Sequence, residues 1–144
     1  MKAENRGNEG FLQREKEKLK LLTKRNRGRN VRRVMQEVKV YIRGWLGYFH
    51  VADMKRTMKS WDEWLRRRFR MYIWKQWKKP RTKVANLREL GIPADKAYQW
   101  GNSRLGYWRI AGSPVLACSI TNERLAAAGY FSILNCYESL HSCD

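Results

Sequence analysis

Residues 66–83 combine cationic side chains with aromatic rings. Nine of these eighteen residues are Lys or Arg, none is acidic, and Phe69, Tyr72, Trp74 and Trp77 are interleaved with them. A solvated face of an ordinary domain mixes both signs of charge, whereas unneutralised cations beside rings suit phosphates and bases. The run therefore predicts contact with a nucleic acid.

Residue patterns that support catalysis or metal binding are scarce. The adjacent carboxylates Asp62 and Glu63 point in different directions on a helix, so they suit a helix N-terminus better than acid/base chemistry. The chain has no Walker-type glycine loop, no H-E-x-x-H and no G-x-S-x-G. A zinc site from the three cysteines and His141 would need the spacing C-x17-C-x4-H-x-C, without the short pairs of common zinc modules. We expect binding rather than catalysis, with no metal and no cofactor.

Charge is divided unequally along the chain. Residues 1–83 hold 26 of the 31 Lys and Arg and 8 of the 13 Asp and Glu, so the whole net charge of +18 lies there. Such asymmetry is typical of binders of nucleic acids or anionic membranes. No window approaches the ~18 apolar residues of a membrane span, and the N-terminus lacks the apolar core of a signal peptide. An odd number of cysteines agrees with reduced thiols, and we expect a soluble, cytoplasmic protein without a membrane partner.

Three amphipathic helices are predicted to position the cations. Residues 1–10 are expected to be disordered, and helices are expected over 11–23, over 31–51 with Asn30 as cap, and from Trp61 to Pro80. Ser60 and Glu63 have the spacing of a capping box for the third helix, which makes 53–60 a connection. The predicted fold is mainly α: a three-helix bundle followed by a small, irregular helical domain.

The second predicted helix has an apolar stripe and a basic stripe. Lys39 and Arg43 lie on the basic stripe, and Gly44 and Gly47 lie within the same helix. Each glycine costs about 1 kcal/mol relative to alanine inside a helix, which indicates that something approaches the backbone closely. Either a neighbouring helix or a sugar-phosphate backbone satisfies that requirement.

The tryptophans allow two interpretations. Trp45 and Trp61 lie on apolar stripes and are predicted core residues. Trp74 and Trp77 lie nearer the basic face, where they either complete the core or offer a surface for an unpaired base.

The last part of the chain has weaker signals. Short helices are predicted over 82–90, closed by Gly91, over 93–101, and over 121–128, and residues 102–114 are predicted to form a loop. That loop carries Arg104, Tyr107, Trp108 and Arg109, which form either a binding edge or, for the two rings, a plug of the core.

Several motifs occur in the order and spacing of a known family. They are RNRGRN at 25–30, YIRGWLGYF at 41–49, WDEWLRRRFRMYIWKQWKKPRTK at 61–83, LGIP at 90–93, GYWRIAGSP at 106–114 and SITNERLAAAGY at 119–130. From about residue 11 to its end, the chain closely resembles the C-terminal part of bacterial group II intron reverse transcriptase/maturases.

The resemblance implies a thumb, or maturase-specific (X) domain, over 11–81 and a small DNA-binding-like region over 82–144. In that family the thumb binds intron RNA for splicing and contacts the template-primer duplex during retrohoming, while the following region contacts target DNA. The implied RNA-binding residues, with Lys39 and Trp74 added from the stripes above, are Lys39, Arg43, Arg66, Arg67, Arg70, Trp74, Lys75, Lys78, Lys79 and Arg81. The implied DNA-binding residues are Lys83, Arg104, Tyr107, Trp108 and Arg109. The implied partners are intron RNA and target DNA or an RNA/DNA duplex.

The chain departs from the full family because the finger and palm domains are missing. The nearest string to the catalytic Y-A-D-D motif is VADM at 51–54. We therefore expect no DNA synthesis from this chain, and we interpret it as part of a longer protein or as a degenerate reading frame of a mobile element. Thumb surface that would pack on a palm predicts self-association.

Two other classes share the charge and the rings. A structural RNA-binding protein differs only by lacking the family motifs. A DNA-binding regulator would present amide side chains to base edges, and the third helix offers charge instead. A membrane-surface helix is a more distant alternative, since it needs a broad apolar face left unburied.

Overall fold

The computed structural model describes residues 2–24, 30–49 and 54–142, and all regular structure in these residues is helical. The helices are α1 (Lys2–Leu22), α2 (Val31–Phe49), α3 (Lys55–Gln76), α4 (Pro80–Glu89), α5 (Ala94–Gly101), α6 (Tyr107–Ala111), α7 (Pro114–Ser119), α8 (Asn122–Ala128) and α9 (Ile133–Ser142). The predicted mainly α class is confirmed. The predicted break at 25–29, the end of the second helix at 50–51 and Cys143 lie outside the described residues.

The first three helices bury the apolar stripes that the sequence predicts. Ile42 of α2 and Leu65 of α3 are fully buried, and Leu19 of α1 joins the same core. The rings of Trp45 and Trp61 stack with centroids 5.1 Å apart and planes inclined by 10°. Both tryptophans are buried, so the core assignment of these two residues is confirmed.

Helix boundaries differ from the prediction at two places. α1 begins at Lys2, so residues 2–10 are helical where disorder was expected. Forming the first turn of a helix is costly, whereas each residue added afterwards gains one backbone hydrogen bond. Polar residues can therefore continue a helix that the buried residues have already started. α3 begins at Lys55 rather than near Trp61, and the capping box of Ser60 and Glu63 is not used. The apolar stripe explains this extension, because Met58 is fully buried one turn before Trp61.

Asn30 acts as the predicted cap of α2. Its side-chain oxygen accepts a hydrogen bond of 2.8 Å from the backbone N–H of Arg32. This bond satisfies one of the N–H groups that a helix N-terminus leaves without a helical partner.

The junction between α3 and α4 has a left-handed turn. α3 ends at Gln76, and Lys78 has φ 49°, a conformation that non-glycine residues seldom adopt. Lys79 is extended, as expected before a proline, and Pro80 is the first residue of α4. Pro80 therefore begins a new helix instead of ending α3.

The C-terminal helices extend the same core, and two of them pack on α3. α6 and α9 contact α3, and α9 also contacts α2. Ile110, Leu116 and Ile133 are fully buried in one cluster with the residues of α1–α3. The core of the described residues is thus continuous across position 82, where the composition changes.

The three short helices predicted for the C-terminal part are present as α4, α5 and α8. Thr121 caps α8 through its side chain, which accepts a hydrogen bond from the N–H of Arg124, and Gly91 has φ 98° after α4. Residues 102–114, expected as a loop, include α6 and Ser113, the side-chain cap of α7. Neither α7 nor α9 has a counterpart in the prediction.

Candidate nucleic-acid interface

Three arginines of α3 direct their guanidinium groups to backbone carbonyl oxygens. Arg68 is buried and donates to the carbonyls of Lys20 (2.9 Å) and Thr23 (3.2 Å) and to the hydroxyl of Thr23 (3.0 Å), so it caps the C-terminus of α1. Burial lowers the pKa of Arg68 from its ordinary value. Arg70 donates to the carbonyl of Ile120 (2.7 Å) and to the amide oxygen of Asn122 (2.8 Å). The pKa of Arg70 is lowered first by burial and then by the charge of Arg66.

Arg67 connects α3 to α6. It donates two hydrogen bonds, of 2.7 and 3.0 Å, to the carbonyl of Trp108, and its guanidinium carbon lies 3.9 Å from the centroid of the Trp108 ring. Two of the predicted RNA-binding arginines, Arg67 and Arg70, therefore hold the fold together. Mutation of either residue would disturb packing as well as any ligand contact.

Asp62 has a structural role that its sequence context concealed. It is 2% exposed in the middle of α3, and its carboxylate accepts bonds from the backbone N–H groups of Ile133 and Leu134, both 2.8 Å long. Its oxygens also accept from the hydroxyls of Tyr130 (2.6 Å) and Ser132 (3.1 Å). Asp62 was expected to act at the N-terminus of its own helix. It acts instead at the N-terminus of α9, a helix remote in sequence. No short-range signal could have found this contact.

The predicted stacking role of Trp74 is wrong. Trp74 is 3% exposed, its ring lies 5.8 Å from that of Trp77, and the Lys83 ammonium lies 4.8 Å above the Trp74 ring. A buried ring has no free face for a base, so the core interpretation holds for Trp74. Trp77 is half-buried against the same core.

Five cations surround the α3–α4 junction, and we call them the junction cluster: Lys75, Lys78, Lys79, Arg81 and Lys83. Lys78, Lys79 and Arg81 are exposed, while Lys75 and Lys83 lie 5.1 and 5.4 Å from the ring of Tyr107. The chain has no acidic residue between Glu63 and Glu89. Within the described part of the chain, the ion pairs are Arg33–Glu37 and Lys55–Glu138, so neither neutralises the cluster.

One residue predicted to bind DNA borders this cluster and another, Lys83, belongs to it. Tyr107 contacts both Lys75 and Lys83, which places residues from the two predicted sets on one face. Trp108 is 37% exposed, and Arg104 and Arg109 are exposed on either side of it in sequence. The structure therefore brings part of the RNA set and part of the DNA set together.

The other predicted RNA-binding residues line a groove between α2 and α9. This α2–α9 groove has a volume of ≈ 750 Å³, and its lining includes Lys39, Arg43, Gly47, Arg66, Asn135 and Cys136. No acidic side chain lines it among the described residues. Arg66 lies 5.2 Å from the ring of Tyr130. Burial and the charge of Asp62, in that order, raise the pKa of Tyr130, so the phenol stays neutral beside these cations.

Other site types are not formed by the described residues. They contain no group of three potential metal ligands, with Cys118 exposed and Cys136 half-buried as free thiols. No helix within residues 2–24, 30–49 or 54–142 combines the length and apolar character that crossing a bilayer requires.

Comparison with known proteins agrees with the motifs. The family model described as "Group II intron, maturase-specific domain" matches residues 12–91, more than half of the chain. The matched range covers α2, α3 and α4 completely and includes the junction cluster and the cations of the groove. No curated protein matches the chain.

Proposed function

The chain belongs to the group II intron maturase-specific domain family, and on that premise we propose that it binds folded group II intron RNA and assists its splicing. The proposed role is non-enzymatic: the chain stabilises the RNA fold and carries out no polymerisation. The corresponding partners are the intron RNA and, during retrohoming, target DNA or an RNA/DNA duplex. We place this activity in the cytoplasm and propose no cofactor for it.

The junction cluster carries this proposal. Its five cations lie within a stretch free of acidic residues, and three of them are exposed at one turn. Unpaired cations on a rigid helical frame can neutralise phosphates of an RNA backbone without first breaking ion pairs within the protein. The left-handed backbone at Lys78 sets the direction of the turn between α3 and α4, and therefore the side on which these cations lie.

The mechanism is electrostatic docking with shape recognition. Lysines act as point charges, and Arg81 can donate two parallel bonds to one phosphate. RNA helices are recognised mainly by the arrangement of their phosphates and 2′-hydroxyls, so spaced cations on a rigid surface favour one RNA fold over others. The bound cations would reduce the repulsion between phosphates, so that the phosphates of the folded intron can lie closer together. This is how we propose that the chain assists splicing.

The contact with DNA is proposed for the same face. Lys83 belongs to the junction cluster, and Tyr107 lies within reach of Lys75 and Lys83. The other three residues proposed to contact DNA are within three positions of Tyr107 in sequence: Arg104, Trp108 and Arg109. A duplex lying along this face would contact the junction cluster with one part of its length and the residues of α6 with the adjacent part. This arrangement favours an RNA/DNA duplex over two separate nucleic-acid sites.

Direct titration tests the proposal. The purified chain is titrated with a group II intron RNA, a length-matched unrelated RNA and duplex DNA over a range of salt concentrations. The test variant carries Lys79→Gln, Arg81→Gln and Lys78→Asn, since asparagine tolerates the left-handed backbone of position 78. Removing three phosphate contacts should reduce the slope of log K against log[salt] by about 2 to 3.

A matched variant controls for net charge. Arg14→Gln, Arg88→Gln and Lys96→Gln remove the same charge from exposed positions outside the junction cluster and the α2–α9 groove. We expect its salt slope to change by less than about 1. Equal weakening by both variants, or equal affinity of the wild-type chain for all three nucleic acids, would reduce the proposal to nonspecific polycation binding.

A further inference from the structure

We infer that the α2–α9 groove is a binding seat for one nucleotide of an RNA strand, with its phosphate held by Lys39, Arg43 and Arg66. The inference extends the proposed function, because it takes RNA as the source of the phosphate. It adds a second contact region to the junction cluster. The groove meets α3 at Arg66, in the middle of that helix, whereas the cluster begins at Lys75, near its C-terminal end.

Arg66 differs from the arginines that follow it. Arg67, Arg68 and Arg70 all donate to carbonyl oxygens, whereas no described residue accepts a hydrogen bond from Arg66. Its Nε is buried without a partner within the described structure, although buried donors are nearly always paired. The arginine of α3 that lines the groove is therefore the one left without an internal acceptor, and it can bind an external anion.

The charge of the groove suits a phosphate. Lys39 and Arg43 are one turn apart on α2, and Arg66 of α3 lines the same groove. No carboxylate of the described residues lines the groove, so an anion entering it meets attraction without a competing internal partner. Asn135 of α9 is exposed on the same lining and can both donate and accept hydrogen bonds, as a ribose hydroxyl requires.

Gly47 of α2 leaves room for close approach from outside the protein. A Cβ atom built at Gly44 or Gly47 meets no atom within 4 Å, so no neighbouring helix requires a glycine at either position. Of the two explanations that the sequence left open, the structure excludes packing against a described helix. Gly47 lines the groove, where a missing side chain lets a sugar-phosphate backbone approach α2.

The size of the groove agrees with a nucleotide instead of a bare ion. Its volume of ≈ 750 Å³ falls within the range of roughly 300–1,000 Å³ that is usual for pockets holding small organic ligands. Free phosphate and free nucleotides share the charge of an RNA phosphate, so an experiment must separate these sources.

Cys136 offers a reporter inside the groove. It lines the groove and is half-buried, whereas Cys118 is exposed outside it and serves as an internal reference. Alkylation by iodoacetamide is followed for both thiols by mass spectrometry in a Cys143→Ser background. Burial raises the pKa of Cys136, so the reaction is run in mildly alkaline buffer.

The probes are a short single-stranded oligoribonucleotide, group II intron RNA, AMP and inorganic phosphate. At a ligand concentration ten times its Kd, the oligoribonucleotide should slow Cys136 alkylation about tenfold, since protection follows 1 + [L]/Kd. Cys118 should react at an unchanged rate. Protection by inorganic phosphate or AMP at the same concentration as the oligoribonucleotide would overturn the assignment to an RNA strand.

Two variants test the groove without removing an internal contact. Asn135→Asp adds a negative charge at an exposed position in the first turn of α9. The carboxylate of Asp62 already occupies the N-terminus of α9, so the circular dichroism of this variant must match that of the wild-type chain before protection is compared. Gln99→Glu adds the same charge at an exposed position of α5 as a control. Asn135→Asp should abolish protection of Cys136, and Gln99→Glu should leave it unchanged.

Gly47→Ala provides a variant whose stability and binding should change in opposite directions. The added methyl raises helix propensity and meets no protein atom, so Tm should rise while Cys136 protection falls. Gly44→Ala gives the same propensity gain on the same helix, outside the residues that line the groove, and should keep full protection.

The outcomes separate this inference from the proposed function. If the chain prefers intron RNA but Cys136 stays unprotected, the groove is not a nucleotide site, and the proposed function still holds. Protection of Cys136 by the oligoribonucleotide without preference for intron RNA would support the groove and contradict the proposed function. Equal effects of Asn135→Asp and Gln99→Glu on the protection of Cys136 would overturn the assignment of the groove as a nucleotide site.

Discussion

The replacement Asp62→Ala is predicted to weaken the attachment of α9 to α3. The carboxylate is 2% exposed and accepts from the first two N–H groups of α9 and from the hydroxyls of Tyr130 and Ser132. Loss of a helix cap costs about 0.5–2 kcal/mol, and a hydroxyl left without its charged acceptor costs about 1–3 kcal/mol. The free energy of unfolding should therefore fall by about 2–4 kcal/mol.

Urea denaturation followed by circular dichroism measures this change. Glu63→Ala is the matched control, since Glu63 is the next residue of α3 and is exposed; it should change the free energy of unfolding by less than about 0.5 kcal/mol. Asp62→Asn keeps the shape and one acceptor oxygen, so its loss should lie between the two. Limited proteolysis should cleave Asp62→Ala near α9 earlier than wild type. Equal stability of Asp62→Ala and Glu63→Ala would refute the assignment of Asp62 as the cap of α9.

Two further predictions concern buried polar groups. Folding raises the pKa of Tyr130, mainly through burial, so the phenol of the unfolded chain loses its proton at a lower pH than that of the folded chain. The free energy of unfolding should therefore fall as pH rises above about 10, by up to about 1.4 kcal/mol per pH unit. In urea denaturation at several pH values, Tyr130→Phe should show a shallower fall than the wild-type chain, and an identical fall would contradict this prediction. Thr23→Val removes the hydroxyl that accepts a hydrogen bond from Arg68 Nε, and should lower the free energy of unfolding by about 1–3 kcal/mol. Thr82→Val, at an exposed position, is the control and should have little effect. Equal stabilities of the two variants in thermal denaturation would contradict this prediction.

Local signals predicted the elements that depend on local contacts. The apolar stripe of α2, the cap Asn30 and the cap Thr121 follow from residues within one or two turns, and all three are present in the structure. The N-terminus of α3 was misplaced because two local signals competed. Burial of Met58 outweighed the capping box at Ser60, since apolar burial stabilises a helix more than one cap does.

The functions of the charged residues depend on long-range partners. Composition identified the arginines of α3 as a cationic set, yet Arg67 and Arg70 bind carbonyls that follow them by 41 and 50 residues. Asp62 likewise caps a helix that begins 71 residues later. Side-chain spacing within α3 carries no information about these contacts, because they are set by how the C-terminal helices pack.

The polar residues of α3 tie the two parts of the chain together. Asp62 binds α9, Arg67 binds α6, and Arg70 binds the segment between α7 and α8, all outside the range matched by the family model. The C-terminal helices are therefore fixed to the maturase-specific domain by hydrogen bonds as well as by the core. This rigid attachment is what lets Tyr107 of α6 stand beside Lys75 of α3.

The most direct test of the central claim is a competition experiment with the wild-type chain. Labelled group II intron RNA is bound at moderate salt, and unlabelled intron RNA or a length-matched unrelated RNA is added to displace it. The proposed function predicts that the intron RNA competes at least about tenfold better, equivalent to about 1.4 kcal/mol of shape recognition beyond charge. Equal competition by both RNAs would mean that the cations bind phosphates without recognising the intron, and would contradict the claim.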